Sequence, residues 1–180
     1  KFDGIFEGRF ALILTNPPVG AEVEADEIIL ANEIELDEDV ERHYGRVRGA
    51  PYKQARAALK AAVGKPLASM FKLPKREGSK IATEVLFIER CLDLLKPGGR
   101  LGVVLPEGIF NNPSLAHVRE FVEDRAYLDA VVSLPPETFK ASGASVKCSL
   151  LFLRKFTEKE AATFAATRAK AEAETGGKYA

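Results

Sequence analysis

The sequence predicts an α/β fold on three observations. Short apolar runs at 11–15 (ALILT) and 100–106 (RLGVVLP) are continuous rather than alternating, as strands buried on both faces are. Between them, 81–95 carries Val85, Ile88, Leu92 and Leu95 at helical spacing, closed by Lys96-Pro97-Gly98-Gly99. Two further apolar runs near the end, 127–134 and 146–155, are separated by about a dozen residues, the length of a hairpin connection rather than a helical crossover. Helices alternating with apolar strands imply a mainly parallel sheet covered on both faces, here closed by an antiparallel hairpin.

The elements follow in order. The first strand, 11–15, is stopped by Asn16-Pro17-Pro18, because two prolines remove two donors and fix φ. Ten acidic residues and no basic ones then occupy 22–41, after which eleven basic residues face the single Glu77 over 42–80. A helix is expected at 54–63, but Gly45, Gly49, Gly64, Pro66, Pro74 and Gly78 punctuate the rest. The stretch 21–80 therefore reads as a long, mobile, charged insertion. After the helix at 81–95 and the strand at 100–106, Ser114 opens a helix to Asp124, and the closing hairpin follows. The Ala-, Lys- and Glu-rich tail, 157–180, reads as a weakly packed helix that frays, leaving 1–156 as the folded domain.

Composition narrows the class. At 180 residues and 46% hydrophobic content the chain can bury a core without staples. Net charge is zero with a pI near 7.0, which excludes a global basic field and leaves any charge signal local. Cys91 and Cys148 each sit in an apolar run without Cys-x-x-Cys spacing, so both are expected as reduced core residues. His43 and His117 join no ligand cluster, so no metal is expected. With no signal peptide and no run near the ~20 apolar residues of a membrane span, a cytoplasmic protein is the expectation. The chain starts at Lys1 and reaches a strand almost at once, which predicts a fragment of something longer.

The sharpest chemical signal is Asn16-Pro17-Pro18, since ligands of open α/β sheets bind outside the carboxyl ends of the strands. A rigid turn there would offer the Asn16 carboxamide oxygen and the Pro17 carbonyl to one point. Two such acceptors can take both hydrogens of a planar amino group, freeing its lone pair to attack a methyl sulfonium without a strong base. The alternative use of the tripeptide is simply to end a strand.

The residues resemble the Asn/Asp-Pro-Pro-aromatic motif of amino-group methyltransferases. Four segments in chain order are similar to the modification subunit of type I restriction-modification systems, an N-6 adenine-specific DNA methyltransferase family. They are 15–20 (TNPPVG), 84–112 (EVLFIERCLDLLKPGGRLGVVLPEGIFNN), 132–135 (VSLP) and 146–155 (VKCSLLFLRK). The resemblance covers 10–155 and rests on the combination, because Lys-Pro-Gly-Gly-Arg alone is widespread.

That resemblance implies the carboxyl-terminal half of a Rossmann-like class I S-adenosylmethionine-dependent sheet. It implies methyl transfer from S-adenosylmethionine to an adenine extruded from duplex DNA, with a specificity subunit and a restriction endonuclease subunit as partners. Asn16 and Pro17 would bind the amino group, with Pro18 shaping the turn and Thr15 beside the cofactor. The fourth motif position holds Val19 instead of an aromatic ring, and base stacking on such a ring is worth ~1–3 kcal/mol. The glycine-rich turn that grips the cofactor is expected upstream, since 1–10 cannot supply it.

Other candidates remain open between two uses. Glu107, Asn111 and Asn112 follow the strand end at Pro106 and either touch cofactor or substrate or cap the next helix. Ser133, Pro135, Pro136, Phe139 and Lys147 border the hairpin, where the resemblance implies the adenine pocket. Phe139 either stacks on the base in place of Val19 or packs in the core. The basic residues of 42–80 either track phosphates or are neutralised by their acidic neighbours. Two rival functions stand beside DNA methylation: an Asn-Pro-Pro methyltransferase acting on RNA or on protein glutamine, and a non-catalytic assembly module.

Overall fold

The computed structural model describes residues 7–73, 80–140 and 146–176. The segment at 2–5, the expected breakers Pro74 and Gly78, and the end of the tail lie outside them. The chain divides into two compact units, one of Lys1–Arg9 with Pro18–Leu94 and one of Phe10–Pro17 with Leu95–Ala180.

The second unit holds a four-stranded sheet of β1 (Phe10–Thr15), β4 (Leu95–Pro106), β5 (Ala126–Ser133) and β6 (Cys148–Lys155), in the order β1-β4-β6-β5. β1 pairs parallel to β4, while β6 runs antiparallel to both β4 and β5. The expected mixture is therefore present: three strands share a direction and β6 reverses it. β4 begins at Leu95, earlier than expected, because Lys96 to Gly99 bulge within the strand instead of ending the preceding helix. Phe10 pairs with Leu95 and Leu12 with Arg100, which leaves that extra chain on β4.

The core of this unit comprises Leu95, Leu101, Val103, Leu105 and Leu153, with Val118 and Phe121 of α5 (Ala116–Glu123). Leu12 and Leu14 of β1, and Leu128, Val131 and Val132 of β5, are exposed, so among the described residues the sheet is not covered on both faces as expected. α6 (Glu158–Thr175) buries no residue and meets the rest through Phe164, 5.3 Å from Phe156, and through ion pairs of Arg168 with Asp124 and of Glu160 with Arg154. Its start is a capping box in which Thr157 and Glu160 satisfy each other's backbone N–H groups. The Thr157 backbone N–H, then its hydroxyl, then Arg154 hold the Glu160 carboxyl below its ordinary value.

In the first unit, β2 (Glu22–Glu24) and β3 (Lys80–Ala82) form a small antiparallel pair that the sequence did not announce. Because 80–82 is strand, the long helix starts at Thr83 rather than at 81, as α3 (Thr83–Leu94). The loops expected across 45–53 are instead helix. After the short α1 (Ala31–Ile34), α2 runs over Glu38–Ala61 and breaks only at Gly49, whose φ of 66° and ψ of −145° are open to glycine alone. Pro51 falls in the first turn after that break, where a missing N–H costs nothing. Gly45 is accommodated without a break. Within α3, Glu89 is 1% exposed and accepts the backbone N–H groups of Lys72 and Leu73. Cys91 and Cys148 are both buried and free, and burial pushes the Cys91 thiol up to about 11.

A Cβ on Gly99 would stand 2.9 Å from the carbonyl oxygens of Lys96 and Phe10, whereas one on Gly108 would meet nothing within 4 Å. Gly99→Ala should therefore destabilise the chain by about 1–3 kcal/mol in urea unfolding, and Gly108→Ala should be neutral or stabilising by about 0.5 kcal/mol. Equal effects at the two positions would contradict the close packing at the bulge. The α6 cap has a pH sign as well. A carboxyl with a lowered folded pKa contributes above the ordinary carboxylate range and loses its effect as the pH falls through the lowered value. Protection of the amides at the start of α6, taken relative to their intrinsic exchange at each pH, should fall on acidification, and Glu160→Gln should remove that pH dependence of protection.

Candidate active site

The parallel pairing of β1 with β4 decides where the proline motif lies. Thr15 is in register with Val103, so Asn16 and Pro17 leave the sheet on the edge where β4 ends at Pro106. β5 ends on that same edge, since Ser133 and Leu105 both face Ser149 of the intervening β6. The carboxyl ends of β1, β4 and β5 and the amino end of β6 thus share one border of the second unit.

At that border Pro17 is buried and Asn16 is exposed. Among the described residues the Asn16 carboxamide makes no hydrogen bond, so it is available to an incoming group. The carboxamide is anchored by its place at the strand end rather than by side-chain partners. Pro18 and Val19 belong to the first unit, where the Pro18 carbonyl accepts the Thr83 hydroxyl at 3.1 Å. That hydroxyl also reaches the Ala21 carbonyl at 3.2 Å, and the Thr83 N–H donates to it at 3.0 Å. The start of α3 therefore clamps the turn that follows the motif. Of the two proline carbonyls, that of Pro18 is already committed. Val19 is half-buried.

Glu107 stands next along the border. Its backbone N–H donates to the Lys147 carbonyl at 3.0 Å, which ties the end of β4 to the start of β6. Its carboxylate accepts the Ser149 hydroxyl at 2.8 Å and lies 3.9 Å from the Lys147 ammonium. Ser149 is only 1% exposed, so this hydroxyl is a buried group with a single assigned duty, holding the carboxylate. The sequence reading named Glu107 and Lys147 but missed Ser149. Its signal was present: a hydroxyl inside an otherwise apolar strand, directly opposite Leu105.

The remaining candidates divide. Asn112 is used as a cap, its side chain accepting the N–H and hydroxyl of Ser114, both at 2.9 Å. Asn111 is exposed at the end of α4 (Gly108–Asn111). Phe139 is half-buried in the turns after β5, and Pro135 and Pro136 are exposed just before it. The Pro135 carbonyl accepts both the backbone N–H and the hydroxyl of Thr138, which makes this a closed turn. Ser133 is exposed at the end of β5.

The described residues do not include a strand followed by a glycine-rich turn and helix ahead of β1. No group of three or more His, Cys, Asp or Glu suited to a metal ion occurs among the described residues, and none of their helices is long and apolar enough to cross a membrane.

Comparison with known proteins places the chain in a family. The chain matches the family described as N-6 DNA Methylase over residues 67–178. It is 32% identical over 75 residues to the methylase subunit of the type I restriction enzyme EcoKI of Escherichia coli strain K12, covering 41% of this chain and 14% of that subunit. The StySJI methylase subunit of Salmonella typhimurium strain LT2 matches with the same identity and coverage. The chain thus spans about a seventh of the length of these curated relatives, at 14% of each. The crystal structure of the EcoKI M protein superposes with a TM-score of 0.50 at 21% identity, covering 85% of this chain and 22% of that one, a likeness of fold. With the matched region spanning more than half of its length, this α/β chain belongs to the N-6 DNA methylase family.

Proposed function

We propose that the protein containing this chain methylates the exocyclic amino group of adenine in duplex DNA, as the modification subunit of a restriction-modification system. A specificity subunit would read the DNA sequence, and an endonuclease subunit would join the assembly. The observation that carries this reading is the free Asn16 carboxamide at a proline-stiffened strand end, on the border that also holds Glu107.

The chemistry follows from what that border can do. An amino group inside the duplex stack is unreachable, so the base must be turned out. The Asn16 oxygen and the Pro17 carbonyl then accept its two hydrogens, drawing the nitrogen away from conjugation with the ring. S-adenosylmethionine supplies the electrophilic methyl group when bound, with its main contacts outside the described residues. The nitrogen held by Asn16 and Pro17 would attack the methyl carbon with its lone pair as the carbon–sulfur bond breaks and the sulfur leaves as a neutral thioether, and the proton the nitrogen sheds would pass to water. Thr15 and Glu107 would border the cofactor, while Asn111, Phe139 and Lys147 would line the base.

Ser149 has a definable part in this arrangement. A buried hydroxyl that donates to a carboxylate fixes its direction, and charge-assisted bonds of this kind exceed neutral ones in strength. Val19 is the one residue that favours a different substrate, because it offers no ring face for a base. Methyl transfer to RNA or to a glutamine side chain would look the same at Asn16 and Pro17.

Full-length protein with its partner subunits, incubated with duplex DNA and methyl-labelled S-adenosylmethionine, should place label on adenine N6. Asn16→Ala should lower the rate by about a hundredfold or more. Label on RNA or glutamine only, seen by mass spectrometry, would replace the DNA reading. Val19→Phe should tighten binding to substrate DNA by about tenfold if the ring restores stacking. Ser149→Ala should cost about 1 kcal/mol of stability through the lost bond to Glu107, and an unchanged unfolding midpoint would show that the bond carries no weight.

A further inference from the structure

The break at Gly49 does more than interrupt α2. Its two halves enclose a groove of about 650 Å³ within the first unit. Five cations line it: Arg42, Arg46, Lys53, Arg56 and Lys60. Glu38 and Glu41 are the acidic residues in the lining, so five positive charges face two negative ones.

The pairing within the groove is uneven. Glu41 accepts Lys60 at 2.8 Å and Arg56 at 3.5 Å, and Arg56 also donates to the Ile34 carbonyl at 2.9 Å. Arg42 pairs with Asp39 at 2.7 Å. These bonds hold the wall and floor of the groove, and Arg56 is 7% exposed. Arg46 and Lys53, by contrast, are exposed and have no ion-pair partner among the described residues. They stand on opposite sides of the break, one on each half of the helix. At Gly45 the groove has no side chain to narrow it, and the nearest atom to a Cβ there would be the Lys53 Cε at 4.0 Å.

We propose that this groove binds phosphate groups and that its occupant is the phosphodiester backbone of DNA, held by Arg46 and Lys53. The inference rests on the reading of DNA as the substrate. An arginine fork and a lysine ammonium on two arms of a bent helix offer donors and positive charge to phosphate oxygens, while Glu41 holds Arg56 and Lys60, and Asp39 holds Arg42. Duplex DNA is the polyanion that the proposed reaction brings to the protein, and binding to its backbone is of the kind that releases counterions. Phosphate contacts fix register and affinity and carry no chemistry, so the groove contributes to affinity and placement of the duplex, not to the chemical step.

The test uses the full-length protein with its partner subunits and a fluorescent duplex, titrated across a salt series. Arg46→Glu with Lys53→Glu should weaken duplex binding at least tenfold at low salt and lower the slope of log affinity against log salt by about 2. S-adenosylmethionine binding and the melting temperature should stay at wild-type values. If the reversal impairs folding, the Arg46→Gln, Lys53→Gln pair should still lower the slope. Wild-type affinity and slope in a folded variant would overturn the groove while leaving the methyltransferase reading intact. Failure of the wild type to bind or methylate any duplex would overturn both. Binding of adenosine monophosphate or of polyglutamate that the substitutions abolish, with duplex binding unchanged, would assign the groove to a free phosphate ligand or an acidic peptide and overturn the DNA occupant.

Discussion

Two prolines at the end of one parallel strand constrain the whole site. Pro17 and Pro18 cannot extend the ladder, so β1 must stop where it does. Because β1 pairs in parallel with β4, that stop falls on the border where β4 also ends, and the reversal of β6 brings Lys147 to the same place. Asn16 is thereby exposed with its carboxamide unspent, on the same border as a carboxylate fixed by a buried hydroxyl. Had β1 run antiparallel to β4, its end would lie at the opposite border, and neither Glu107 nor Lys147 would share it.

The charge pattern has a structural resolution of its own. The acidic run before residue 42 and the basic run after it are brought together by α1, α2 and the break between the two halves of α2. Glu41 takes up Arg56 and Lys60, and Asp39 takes up Arg42. Of the two readings open from sequence, neutralisation by acidic neighbours holds for these three cations. It does not hold for Arg46 and Lys53, which are exposed on the two halves of the helix without an ion-pair partner among the described residues.

Much of the sheet was legible because continuous apolar runs ended by proline or glycine leave little choice. β1, β4, β5 and β6 lie within a few residues of where their runs suggest, and the hairpin between the last two follows from the short gap. Less legible were elements whose signals compete. Gly45 and Gly49 carry the same propensity penalty, yet only Gly49 adopts a left-handed φ and breaks α2. Lys96 to Gly99 read as a helix stop but form a bulge, since the pairing of Phe10 with Leu95 extends β4 backward. Three-residue strands such as β2 and β3 hold too few residues to show a period. At the candidate site, Asn16, Pro17 and Glu107 were visible as types at strand ends. Ser149 was not, because its role depends on a cross-strand register that no local pattern encodes.

The central claim concerns where an amino nitrogen sits relative to Asn16 and Pro17, and position is best measured directly. A structure of the full-length protein with its partner subunits, duplex DNA and an unreactive S-adenosylmethionine analogue would measure it. The account predicts a single adenine turned out of the helix, with its exocyclic nitrogen about 2.7–3.2 Å from both the Asn16 side-chain oxygen and the Pro17 carbonyl oxygen. An extruded base whose amino group is bound by other residues, with Asn16 facing solvent, would contradict it.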